Sequence, residues 1–154
     1  MNVFDELETQ YIEIDDYYSM LQLRAVDRRW ARAEIKCRRK RKINDQAYFL
    51  FMFSRLEDRI REESAKLIRK KHNSNMSWKK KAPWKILPHK PDDRRMHFMN
   101  RLALLTEKDA ADYMLAKDYY KQRNSIAHGG DFIQPINMPD VIIELKRLYK
   151  ALKA

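Results

Sequence analysis

This chain of 154 residues has few of the residues that interrupt helices or cross-link a fold. It contains two glycines and five prolines, none of them before Pro83, so the first half lacks helix breakers. Cys37 is the single cysteine, which excludes an intramolecular disulfide and a cysteine-based zinc site. No apolar run approaches the ~20 residues of a membrane-spanning helix. The acidic start does not resemble a signal peptide, and we therefore expect a soluble cytoplasmic protein without membrane contact.

What the sequence does contain is helical periodicity. From Phe4 to Ala25, apolar residues recur at spacings of three and four, which predicts one buried helical stripe. This helix is expected to reach Ala33 or further, through Cys37 into the basic run that follows, where repulsion between like charges favours fraying or an exposed basic knob. Asn44 and Asp45 are the expected break and cap. Further helices are predicted at about 45–71, 92–105, 106–128 and 137–152.

These helices predict the fold class. One domain spanning residues 1–154 is the default for this length, and we expect an all-α, antiparallel bundle of four to five helices. The apolar run 47–53 is expected to be buried all round, or to face both the core and a partner. Residues 72–91, with three prolines, are expected to form an irregular basic loop insertion.

The net charge of +11 is unevenly distributed. Residues 24–42 carry ten basic and two acidic residues, and residues 66–95 carry eleven basic and two acidic residues. Two such blocks are typical of a protein that binds a polyanion, although a solvated, solubilising surface is the alternative. The predicted nucleic-acid-binding residues are Arg38, Arg39, Lys40, Arg41, Lys42, Lys79, Lys80 and Lys81.

Trp78 and Trp84 alternate with lysines inside the second basic block. This pattern suits base stacking beside phosphate contacts, and it suits equally well a loop pinned to the core by its tryptophans. His72, His89 and His97 have no spacing typical of metal ligands, so we predict neither a metal site nor a cofactor.

The stretch 121–130 contains an Arg-Asn pair, a His and both glycines of the chain. Because a glycine commonly follows the end of a helix with φ > 0, His128 is expected in the last turn of a helix. Asn124 and His128, four residues apart, share a face. Arg123 lies about 140° around the helix from His128. Its side chain therefore reaches round a frayed end, or His128 pairs with an Arg of a second copy.

These three residues form a minimal set for cleaving RNA without a metal. The 2′-hydroxyl is an internal nucleophile, and a His titrates in the range needed to move its proton. A guanidinium stabilises the charge that develops on the phosphate, and an Asn orients either group. The alternative is that Arg123 and His128 simply finish a helix, where a cation interacts favourably with the helix dipole.

The stretch from Arg123 to Gly129 resembles the signature of HEPN (higher eukaryotes and prokaryotes nucleotide-binding) domains, an Arg followed by a polar residue and then a His near the end of a helix. Residues 53–60, an aromatic residue followed by Leu-Glu, are similar to the second-helix pattern of many of these domains. Four residues separate Arg123 from His128, within the range of the family. The basic segment 72–91 lies outside the common pattern.

The resemblance implies a metal-independent endoribonuclease of the toxin or anti-phage defence type. It implies a homodimer with the active site at the dimer interface, and an antitoxin or other regulatory protein as a further partner. In this interpretation His128 is the general acid/base, Arg123 binds the phosphate and Asn124 positions one or the other. Glu57 is an auxiliary polar residue of the cleft, or it simply pairs with Arg61 at i,i+4. A non-catalytic helical module that binds nucleic acid or nucleotide is the alternative function.

Overall fold

A computed structural model describes residues 3–154 of the chain, which form six helices and, within that range, no strand. The all-α prediction is confirmed. None of the described helices is long and apolar enough to cross a lipid bilayer. The helices are α1 Val3–Asp27, α2 Ala31–His72, α3 Trp78–Lys85, α4 Phe98–Leu105, α5 Ala111–Ala127 and α6 Met138–Ala151.

Helix α1 ends at Asp27, so the prediction that it continues past Ala33 is wrong. The chain turns at Arg29, whose φ of +56° lies in the left-handed region. The amide of Arg29 donates to the carbonyl of Val26 (2.9 Å), and the amide of Trp30 donates to the carbonyl of Ala25 (2.7 Å). This pair of bonds defines a Schellman cap. Such a cap usually has glycine at the position that Arg29 occupies, so the sequence does not predict this helix end.

Helix α2 is continuous over 42 residues, so the predicted break at Asn44 and Asp45 is also wrong. Both side chains bond to Tyr11 of α1 instead of capping a helix. The Tyr11 hydroxyl donates to Asp45 Oδ1 (2.9 Å), and Asn44 Nδ2 donates to the Tyr11 carbonyl (3.4 Å). Burial raises the pKa of the Asp45 carboxyl above its ordinary value, although the bond from Tyr11 opposes this shift.

The basic run of α2, residues 38–42, is helical rather than frayed, because most of its charges have partners. Arg41 makes a bidentate ion pair with Asp15 through Nε (2.8 Å) and Nη2 (2.9 Å). Lys40 Nζ lies 4.8 Å from the centroid of the Tyr18 ring. The two remaining ion pairs of the run are Arg38–Glu34 and Lys42–Asp131.

The chain divides into two compact units. The first contains the described residues up to Phe53 together with Lys121–Glu144. Its fully buried side chains include Phe4, Phe49, Met52 and Phe53, whereas Phe51 is 55% exposed. Helix α2 is therefore not buried all round in its apolar run, and Phe51 lies on a solvent-facing side.

The second unit contains Ser54–Tyr120 and Leu145–Ala154. Its core contains aliphatic and aromatic side chains and a buried cation, Arg101, which is 1% exposed. The Arg101 guanidinium donates to Ser64 Oγ and to three backbone carbonyls. The largest fully buried aliphatic side chains of this unit are Leu56, Ile60, Ile68, Leu102, Leu145 and Leu148.

Several helix boundaries of the second half differ from the predicted ones. Residues 72–91 contain the short helix α3 within an otherwise irregular segment, and Pro83 lies inside it. Helix α4 begins at Phe98 rather than near residue 92, because the preceding turn is held by a bond from the Arg95 amide to Asp93 Oδ1 (3.0 Å). Thr106 is the C-cap of α4, so the predicted capping box does not start α5. The last helix agrees with its prediction.

Candidate functional site

The end of α5 is closed by a Schellman cap that explains both glycines. Gly129 has a φ of +80°, and its amide donates to the Ile126 carbonyl (3.0 Å). The Gly130 amide donates to the Ser125 carbonyl (2.9 Å). These bonds make His128 the C-cap residue and Gly129 the left-handed residue after it. The predicted helix end at His128 and the predicted positive φ are confirmed.

Gly130 is required for a different reason, which is a close approach of the backbone. A Cβ at this position would lie 2.8 Å from the Ser125 carbonyl oxygen and 2.9 Å from Ser125 Oγ. Ser125 Oγ in turn donates to the Asp131 carbonyl (2.6 Å). The chain therefore folds back tightly on α5 directly after His128.

The three predicted catalytic residues of this stretch are only partly brought together. Arg123 Nη1 donates to Asn124 Oδ1 (3.1 Å), and both residues are half-buried. His128 is exposed, and its amide donates to the Asn124 carbonyl (3.2 Å). Within residues 3–154, the His128 imidazole makes no hydrogen bond to either neighbour. The structure thus pairs Arg123 with Asn124 and leaves the His128 ring facing solvent.

Glu57 belongs to the second compact unit, whereas the other three predicted catalytic residues belong to the first. It is 6% exposed, and Arg61 Nη2 lies 4.0 Å from its Oε1 at i,i+4. Glu57 therefore has Arg61 as an i,i+4 partner, at the outer limit of ion-pair distance. Its participation in a cleft stays a prediction.

A groove of about 480 Å³ lies beside the capped end of α5, in the first unit. Its lining combines residues 129–131 with side chains from the basic run of α2 and from the next turn: Arg39, Lys42, Ile43 and Gln46. Two predicted RNA-binding residues, Arg39 and Lys42, are thereby placed next to the residues that follow His128. Nothing in the linear order of the sequence brings these two segments together.

Asp131 fixes this arrangement, and sequence reasoning missed it. It accepts hydrogen bonds from Lys42 and from Gln46 Nε2 (2.9 Å). The bond from Lys42 holds the pKa of the exposed Asp131 carboxyl below its ordinary value. Asp131 Oδ1 also accepts the Phe132 amide (2.9 Å). The only sequence signal for this role is that Asp131 directly follows the two glycines.

The loop after Asp131 is anchored in the first unit by two further contacts. The Ile133 amide donates to Gln122 Oε1 (2.7 Å), and Gln122 is 7% exposed on α5. The Phe132 ring packs edge-on against Phe49, with 5.5 Å between centroids. These contacts hold the loop on the first unit, which also contains the groove. His128 therefore lies between two anchored segments, helix α5 before it and this loop after it.

The predicted RNA-binding residues outside α2, which are Lys79, Lys80 and Lys81, lie on α3 in the second unit. Lys79 and Lys80 are exposed, whereas Lys81 Nζ donates to the Ser74 carbonyl (3.1 Å). No group of three or more His, Cys, Asp or Glu side chains suited to a metal ion occurs among residues 3–154.

Comparison with protein-family models, with curated proteins and with solved structures gives no match for this chain.

Proposed function

We propose that this protein is an endoribonuclease that cleaves RNA by attack of a 2′-hydroxyl, without a metal ion. The observation that carries the proposal is the groove in which Arg39 and Lys42 border residues 129–131, directly after His128. Lys42 is paired with Asp131, so Arg39 is the lining cation that has no carboxylate partner among residues 3–154, and its positive charge attracts a phosphate backbone. His128, directly before the lining residues 129–131, is exposed.

The reaction needs two proton transfers and one charge stabilisation. The 2′-oxygen forms a bond to phosphorus as the bond from phosphorus to the 5′-oxygen breaks, which leaves a 2′,3′-cyclic phosphate. A base takes the proton of the 2′-hydroxyl, and an acid protonates the leaving 5′-oxygen. His128 is suited to act as this base or as this acid, because an imidazole in general titrates near neutral pH.

Arg123 and Asn124 supply the charge and its orientation. The bond between Arg123 Nη1 and Asn124 Oδ1 restricts the guanidinium, and a guanidinium binds phosphate oxygens in bidentate geometry. A homodimer with the site at its interface would place a second His128 opposite the first, which would provide separate acid and base groups. By its resemblance to HEPN domains, the enzyme acts as a toxin or anti-phage effector, held in check by an antitoxin or another regulatory protein.

The test is gel cleavage of a structured RNA in the presence of EDTA. His128→Ala should lower the rate by about 100-fold or more, the usual effect of losing a general acid/base, while RNA binding stays close to wild type. His97→Ala is the matched control, because His97 is also exposed at a helix end and makes no side-chain cap bond. Cleavage that EDTA abolishes, or that both variants retain, contradicts the proposal.

A non-catalytic RNA-binding module is the second candidate, because Arg123 bonds to Asn124 while the His128 imidazole makes no hydrogen bond to either residue within 3–154. In that case wild type and His128→Ala shift RNA equally and cleave none. Charge reversal at Arg39 or Lys79 then weakens binding more than His128→Ala does.

A further inference from the structure

The two tryptophans of α3 lie in opposite environments. Trp84 is half-buried, its carbonyl accepts a hydrogen bond from the His72 ring, and Lys71 Nζ lies 5.8 Å from its ring centroid. Trp78 is 72% exposed and has no ring partner or cation partner among residues 3–154. Trp84 therefore anchors α3 to the end of α2 in the second unit, whereas Trp78 makes no such contact among residues 3–154.

Trp78 lies on a defined solvent face of α3. Trp78, Ala82 and Ile86 follow one another at intervals of four, so they share one side of the helix, whereas Trp84 points about 120° away. Ile86, the C-cap residue, is 83% exposed. Lys79 and Lys85 border this side, and both are exposed. We call Trp78, Ala82, Ile86, Lys79 and Lys85 the α3 face.

The segment that contains α3 carries almost only positive charges. Residues 66–95 carry eleven basic residues, with Asp92 and Asp93 as the acids. Asp93 is occupied by Arg95, whose Nη2 lies 2.7 Å from Asp93 Oδ2. Lys79, Lys80 and Lys85 have no carboxylate partner among residues 3–154. An exposed indole among uncompensated lysines complements a ligand that has both flat rings and phosphates.

We infer that the α3 face binds single-stranded RNA, with a base stacked on Trp78 and phosphates on Lys79 and Lys85. This inference rests on the proposed function in taking RNA as the ligand, and it specifies the class of RNA. A base that stacks on Trp78 must have a free face, and the bases of a duplex have both faces covered by their neighbours. The preferred substrate is therefore a loop or another unpaired segment.

The composition of the face favours RNA over a lipid surface. Helices that lie in a membrane interface present a broad apolar side, often over 20 or more residues. Helix α3 has eight residues, and only Trp78 and Ile86 are large apolar side chains with high exposure there. In a membrane-bound state both would insert, whereas stacking requires Trp78 alone. This difference makes Ile86 the discriminating position.

The experiment measures fluorescence anisotropy of a labelled, unstructured RNA of about 12 nucleotides, within the site sizes of single-strand binders, and of the matching duplex. The full chain is used with His128→Ala in every protein, so that no RNA is cleaved. Trp78→Ala should weaken single-strand binding about 10-fold, within the roughly 5- to 150-fold that loss of one stacked base produces. Trp78→Phe should retain most of the affinity. Ile86→Ala should bind like its parent, and duplex binding should change little in all variants.

Equal single-strand affinity of Trp78→Ala and Trp78→Phe overturns the inference. So does parallel loss of binding to phosphatidylserine-containing vesicles in Trp78→Ala and Ile86→Ala, which identifies a lipid surface as the ligand. Circular dichroism of each variant checks that α3 and its unit stay folded. If the protein with native His128 cleaves RNA and Trp78→Ala changes neither affinity nor rate, this inference fails while the proposed function stands. If it neither binds nor cleaves RNA, both fail.

Discussion

Replacing Arg29 with glycine should stabilise the protein, although it removes a long side chain. A residue with a Cβ pays roughly 1–2 kcal/mol in the left-handed region where Arg29 lies, and glycine does not. Glycine loses more backbone entropy on folding, which costs roughly 0.5–1 kcal/mol. The Arg29 side chain is exposed and makes no hydrogen bond or ion pair within residues 3–154. The balance favours Arg29→Gly by about 0.5–1 kcal/mol.

Urea titration followed by circular dichroism at the helix band measures this difference as a shift of the midpoint at constant slope. A thermal melt should show a rise of roughly 1–4 °C, given the usual scaling for a chain of this length. Both measurements report the free energy of unfolding, so they should agree in sign.

Two controls separate backbone relief from other effects. Arg29→Ala removes the same charge but keeps a Cβ, so it should not be more stable than wild type. Arg32→Gly introduces the same residue into the first turn of α2, where it should cost about 1 kcal/mol. Refutation would be Arg29→Gly that is no more stable than Arg29→Ala, since the left-handed conformation would then carry no cost.

Three further predictions concern the stability of the two compact units. Gly130→Ala should destabilise by about 1–3 kcal/mol, because its Cβ meets the Ser125 carbonyl at 2.8 Å; an unchanged melting temperature would contradict this. Arg101→Met should cost about 1–3 kcal/mol in urea titration, since the buried Met96 carbonyl and Ser64 Oγ lose the hydrogen bonds from the guanidinium. The raised pKa of Asp45 means that the folded state binds more protons, so its contribution declines as pH rises from the ordinary aspartate pKa through the folded one. Asp45→Asn keeps an acceptor for Tyr11 and should flatten the stability profile across that window; an unchanged slope would show that Asp45 is not its source.

The parts of the fold that sequence alone predicts are those that depend on local pattern. The all-α class, the last helix and the capped end of α5 follow from apolar spacing and from the two glycines. The end of α1 is not predictable in this way, because the cap at Arg29 uses a residue type that rarely adopts this conformation. The continuity of α2 depends on Tyr11, more than 30 positions away, which bonds to Asn44 and Asp45. Residue propensities describe neighbours in the chain, and these contacts are tertiary.

In the candidate site, too, the sequence predicts the local features and not the tertiary contacts. The helix end at His128 is local, and the sequence predicts it. The approach of Lys42 to Asp131 joins segments 89 positions apart, so the groove and the role of Asp131 become visible only in three dimensions. Likewise, the pattern of tryptophans and lysines in residues 78–85 fits base stacking and fits equally well a loop pinned to the core by its tryptophans. The structure assigns the pinning interpretation to Trp84 through its contact with Lys71, and it leaves Trp78 exposed.

The partners of the basic run on α2 have a thermodynamic consequence for ligand binding. Of its five cations, Arg38, Arg41 and Lys42 already have carboxylate partners, so they are already largely neutralised without a ligand. Each phosphate of a single strand that is newly neutralised adds roughly 0.7 to the slope of log affinity against log salt concentration. Five available cations would contribute a slope of roughly 3.5, and two would contribute roughly 1.4. The run is therefore a weaker source of salt dependence than its charge count suggests, and under the proposed function the three uncompensated lysines of α3 should contribute more to this slope than the run does.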